Sequence, residues 1–132
     1  MTKSNNNTTK IGTWNIRTLN NEAKKIQLAD DITKFDCEIV GVQETHYKGT
    51  GAETLKASTG ETYTLYYTGD DTRTGGVGII VKETTKAEFK RINDRICQAN
   101  IMLKENRKLV VINAYAPTNP VSEKTPEIRE EF

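Results

Sequence analysis

Two rhythms of hydrophobic positions divide the chain. Residues 11–16, Ile-Gly-Thr-Trp-Asn-Ile, read as a short strand, and the Asn20-Asn21 pair offers a helix cap just beyond it. In the segment that follows, to about Lys34, Leu28, Ile32 and Phe35 recur at helical spacing with Ile26 and Ala29 beside them, while Lys24, Lys25, Asp31 and Lys34 mark the opposite side. This spacing predicts an amphipathic helix. The run Ile39-Val-Gly-Val-Gln43 is apolar enough for a strand covered on both faces, so the opening pattern is strand, helix, strand around a buried sheet. Beyond it, Thr62–Thr68, Val77–Lys82 and residues 87–92, 96–103 and 109–115 are rich in β-branched and aromatic side chains and separated by Gly, Asp, Asn and Thr. They predict consecutive antiparallel strands, with residues 104–108 as a polar hairpin tip and Thr125-Pro126 as a further helix start.

The remaining features narrow the class. At 132 residues the chain is long enough for one domain with a core. Residues 1–10, rich in Asn and Thr, read as a disordered leader that buries almost nothing. With 19 basic and 18 acidic residues the formal charge of +1 gives no long-range field for polyanions, so any phosphate ligand must be drawn by a local surface or a cation. Cys37 and Cys97 sit within apolar runs, outside any zinc-type spacing, and read as buried free thiols. Nothing approaches the roughly 20 apolar residues of a membrane span, and no secretory signal is visible, so a nuclear or cytoplasmic protein with no membrane partner is expected.

Several residues stand where chemistry is built. Glu44 follows an apolar strand, placing a carboxylate where open sheets form their sites and where Mg²⁺ finds an oxygen ligand; a solvated strand-end Glu is the plainer alternative. Asn15 ends the first strand, able either to hold a phosphate oxygen or neighbouring carboxylate or simply to cap a turn. Tyr115 closes the last strand, with its phenol free to reach outward and its ring equally suited to packing. His46, the only histidine, is a candidate phosphate contact or base, or a solvated loop residue. Gly75-Gly76-Val77-Gly78 lacks the Lys-Ser/Thr of a phosphate loop and reads as a tight turn into a crowded strand.

Taken in order, Ile-Gly-Thr-Trp14-Asn15-Ile-Arg17, Val-Gln43-Glu44-Thr-His46, Gly76-Val-Gly-Ile and Asn-Ala-Tyr115-Ala-Pro117-Thr resemble the endonuclease/exonuclease/phosphatase superfamily. The wording is most similar to the endonucleases of LINE-type retrotransposons and to craniofacial-development-protein-like sequences. The resemblance implies an α/β fold of the deoxyribonuclease I-like kind: the N-terminal half of a two-sheet sandwich, mostly antiparallel with one or two helices. Each half of the chain would supply most of one sheet, and the site would lie on the shared edge. It also implies that Glu44 ligates Mg²⁺ or Mn²⁺, that Asn15 orients the surrounding hydrogen bonds, that Tyr115 contacts the scissile phosphate, and that Arg17 and His46 touch the nucleic-acid backbone. The substrate class implied is DNA, cleaved at a phosphodiester.

The departures shape the expectation as much as the matches. The Gly-Asp-x-Asn and Ser-Asp-His motifs that supply the family's water-activating aspartate and its histidine do not occur in these 132 residues. Residues 11–132 therefore read as a partial domain, ended at its C-terminal side, inactive or nearly so by itself, with self-association through an exposed sheet face. A non-catalytic remnant acting as a weak binding module, and a phosphatase of the same superfamily acting on phosphoinositides, are the alternatives.

Overall fold

The computed structural model describes residues 8–72 and 75–116. Its opening unit is β1 (Ile11–Asn15), α1 (Glu22–Phe35) and β2 (Ile39–Gln43), with β1 and β2 parallel. α1 begins where expected, because the Asn21 side chain accepts the Lys24 N–H at 2.8 Å and satisfies one of the free donors of the first turn. It ends at Asp36, whose left-handed backbone returns its N–H to Ile32 and Thr33.

Five further strands are those read from the alternation: β4 (Thr62–Thr68), β5 (Val77–Lys82), β6 (Lys86–Asn93), β7 (Ile96–Met102) and β8 (Lys108–Ala114), preceded by β3 (Thr50–Lys56). The sequence reading had no β3. It is an edge strand carrying Gly51, Ala52, Glu53 and Lys56, with only Leu55 buried, and pairing to β4 imposes its conformation where β-propensity does not. The helix start at Thr125-Pro126 and most of the leader lie outside the described residues.

The strands form two sheets, β1-β2-β5-β4-β3 and β6-β7-β8, antiparallel throughout except for β1 with β2. Parity sorts the core. Val40, Val42, Leu65 and Ile80 point to one face, where Leu28, Ala29 and Ile32 of α1 cover them. Ile39, Val77, Ile79 and Val81 point to the other, against Cys97, Ala99 and Ile101 of β7. Burial on both faces is why β2 and β5 are nearly unbroken apolar runs. The expectation that each half of the chain supplies most of one sheet is corrected here: the described residues contribute five strands to one sheet and three to the other. Both cysteines are free thiols, Cys97 buried and Cys37 half-buried, and burial pushes the Cys97 thiol up to about 12. No described helix is long and apolar enough to cross a membrane.

Candidate active site

The parallel register of β1 and β2 sets Asn15 beside Gln43 and ends both strands together. The chain then turns at Glu44, whose φ of 61° is left-handed. Backbone hydrogen bonds on both sides hold that turn. The Glu44 N–H donates to the Gly76 carbonyl at 2.8 Å and the His46 N–H to the Gly75 carbonyl at 2.8 Å, while Thr18 and Leu19 donate to the carbonyls of Glu44 (2.6 Å) and Thr45 (3.3 Å). The glycine run is thus a crowded turn, as read, that offers its carbonyls to the site loop. At Gly76 (φ +94°) a Cβ would stand 2.5 Å from the Thr45 hydroxyl, so only glycine lets the two loops close on each other.

Stitched this way, Glu44 meets the other two candidates. The Asn15 side-chain Nδ2 donates to Glu44 Oε2 at 2.8 Å, and its side-chain Oδ1 accepts the Arg17 backbone N–H at 3.3 Å, which fixes the amide's orientation. Tyr115 follows β8, held by its N–H to the Arg95 carbonyl at 2.9 Å and with its ring edge 3.6 Å from the position of a Cβ on Gly75. Its phenol is pushed above the usual tyrosine range, first by burial, then by the charge of Glu44 and a hydrogen bond to it, with Arg95 opposing. Thr13, Asn15, Gln43, Glu44, Asn113 and Tyr115 line one predominantly polar cleft of about 380 Å³.

Arg17 and His46 are placed differently. Both have left-handed backbones on the two loops that flank Glu44, Arg17 exposed and His46 half-buried, and neither lines the cleft. A larger apolar groove of about 750 Å³ lies at the far end of β8, around Tyr66, Ile101 and Leu109, and brings together none of the candidate residues.

Sequence reading missed the polar residues behind the site. Asn113 is 8% exposed. Its amide nitrogen donates to the carbonyls of Val42 (2.9 Å) and Gly78 (2.8 Å), and its oxygen accepts from Gln43 Nε2 at 2.9 Å. Gln43 Nε2 also donates to the Thr13 hydroxyl at 3.1 Å. Gly41 makes room, since a Cβ there would lie 3.1 Å from the Asn113 side chain. The available signal was an asparagine at an inward-facing position of the apolar run Val110-Val111-Ile112-Asn113-Ala114; a buried polar residue informs where an exposed one does not.

These donors fit a hydrated divalent ion better than a caged one. Among the described residues no group of three or more His, Cys, Asp or Glu side chains could enclose a metal. Mg²⁺ commonly takes one or two protein carboxylates and keeps several waters, and the Glu44 carboxylate retains acceptor sites beyond those used by Asn15 and Tyr115.

No curated protein sequence matches the chain. The model of the endonuclease/exonuclease/phosphatase family matches residues 12–123, a span that includes every strand but the first residue of β1 and all the lining residues of the cleft. A two-sheet α/β sandwich, a carboxylate at the mouth of its parallel strands and a match over most of the chain agree, and the chain belongs to the endonuclease/exonuclease/phosphatase family.

Proposed function

We propose that the domain hydrolyses phosphodiester bonds of DNA with Mg²⁺ or Mn²⁺, in the manner of a retrotransposon-type endonuclease, and that these 132 residues carry one side of its site. The observation that supports this reading most is the convergence of Glu44, Asn15 and Tyr115 on one polar cleft from three separate strand ends. Glu44 would hold the ion, which when bound supplies a positive centre for the phosphate and for the leaving oxygen. Asn15 holds the Glu44 carboxylate in place, and Tyr115, whose single O–H is donated to Glu44 here, would turn that O–H to a phosphate oxygen once an ion occupies the carboxylate. Arg17 and His46, flanking the cleft, are proposed contacts for the nucleic-acid backbone.

The missing aspartate and histidine motifs define the test. Loss of general acid–base assistance typically costs 10²–10⁴-fold in rate. Mg²⁺-dependent relaxation of supercoiled plasmid is therefore expected only when those motifs are supplied, on a longer reading frame or in trans, and it should vanish in Glu44→Ala. Near-wild-type relaxation by that variant, or release of phosphate from inositol phosphates with plasmid left intact, defeats the assignment.

A further inference from the structure

The amide chain behind the cleft has a direction. Backbone carbonyls only accept, so the contacts to Val42 and Gly78 oblige Asn113 to point its NH₂ at them and its oxygen at Gln43. Gln43 must then offer its own NH₂, one hydrogen going to Asn113 and the other to the Thr13 hydroxyl. Both amide hydrogens are committed, and the group has no second orientation of equal energy. What remains is Gln43 Oε1, an acceptor with no protein donor among the described residues, on a half-buried side chain that lines the cleft one residue before Glu44. It is not a buried atom without a partner, so solvent reaches it. A network anchored on the buried Asn113 and reaching across two sheets to present one neutral oxygen beside a lone carboxylate suits water on a hard cation, whose acidic hydrogens seek acceptors.

We propose that Gln43 is a positioning residue: its Oε1 accepts a hydrogen bond from water on the divalent ion held at Glu44, and Thr13 and Asn113 fix the amide in the orientation that does so. This rests on the reading of Glu44 as a metal ligand, and deepens it.

The experiment uses the 132-residue chain and metal alone. Mn²⁺ affinity is measured by electron paramagnetic resonance of the free ion, and amide spectra locate the bound ion by line broadening. Mg²⁺, being diamagnetic, allows the Gln43 side-chain NH₂ resonances to be followed directly. In the wild type, broadening is expected around Glu44 and Asn15, with a shift of the Gln43 NH₂ signals on adding Mg²⁺. Gln43→Met keeps the shape and removes the acceptor, and should weaken Mn²⁺ binding roughly tenfold, as outer-shell partners of metal sites commonly do. Thr13→Val, at an exposed position, removes one acceptor for the Gln43 NH₂ and should weaken it by a smaller factor without disturbing the fold. Should Gln43→Met fail to fold, the Thr13→Val affinity and the Gln43 shift decide. Absence of wild-type broadening at Glu44 overturns the underlying metal reading. Broadening that Glu44→Ala abolishes, together with unchanged affinity in the Gln43 and Thr13 variants and a stationary Gln43 signal, overturns this inference alone.

Discussion

Glu44 sits in a backbone conformation that its own side chain disfavours. A left-handed φ of 61° costs a residue with a Cβ on the order of 1–2 kcal/mol, and here four backbone hydrogen bonds across the loop hold it there. Strain kept at one carboxylate is sensible if that carboxylate must face the cleft. Glu44→Gly should therefore leave the fold as stable as the wild type or stabilise it by up to about 1 kcal/mol in chemical denaturation, while abolishing Mn²⁺ binding. A clear loss of stability would instead make Glu44 a structural residue. That Asn15, Glu44 and Tyr115 stand at strand ends was legible in the sequence because their neighbours announce the strands, while the proposed site roles came only from the family resemblance. Gln43 and Asn113 were not, since their roles exist only once the two sheets are in register and each meets a partner 70 residues away in the chain.

At the scale of elements, α1 was read almost to the residue because cap, spacing and polar side agree, whereas β3 was missed because its residues lack strand character. What fastens the two together is a polar cluster. Lys25 of α1 meets Glu53 of β3 at 2.6 Å, and the Tyr47 hydroxyl donates to the same carboxylate at 2.5 Å, its ring edge-on to Tyr67. Tyr47 holds its proton well above the usual tyrosine range, first through burial and then through Glu53; Lys25 is raised chiefly by its hydrogen bond to Glu53. Both groups bind their protons more tightly in the folded chain than in the unfolded one. Their contribution is thus complete below the ordinary values of 10.0 and 10.5 and is lost as pH climbs through the raised ones. Tyr47→Phe should lower stability near neutrality by roughly 1 kcal/mol, the scale of one hydrogen bond, and the gap to wild type should close under alkali. Thermal melts of both proteins across that range check it, and a gap independent of pH counts against the cluster.

At the scale of the molecule, alternation along each run announced which residues are apolar, and the resemblance announced a sandwich, but it apportioned the strands between sheets wrongly, with most of one sheet expected from each half of the chain. That apportionment depends on nonlocal pairing, such as β2 with β5 across the intervening β3 and β4. It also relocates the surface open to association. The inner faces of the sheets cover each other, and of the exposed large apolar residues Ile11, Ile26 and Phe35 are scattered over β1 and α1 while Ile92, Met102, Val110 and Ile112 belong to the smaller sheet. Its two edges differ. β6 carries Lys86, Glu88, Lys90 and Arg91 and an irregular register between Arg91 and Asn93, features that discourage edge pairing. β8 presents Val110 at 57% and Ile112 at 64% exposure, paired only to β7 among the described strands. The apolar groove bordered by Met102, Leu109 and Val110 adjoins them. We propose that the 132-residue chain self-associates through this side of β8, because a strand edge that no described strand pairs and an apolar row on the same strand offer backbone hydrogen bonds and hydrophobic burial together. Sedimentation should show concentration-dependent association in the wild type, and lysines at both positions, Val110→Lys with Ile112→Lys, should return the chain to monomer with its circular dichroism unchanged. A wild type that stays monomeric across the concentration series, or a double variant that associates as strongly, removes β8 from consideration.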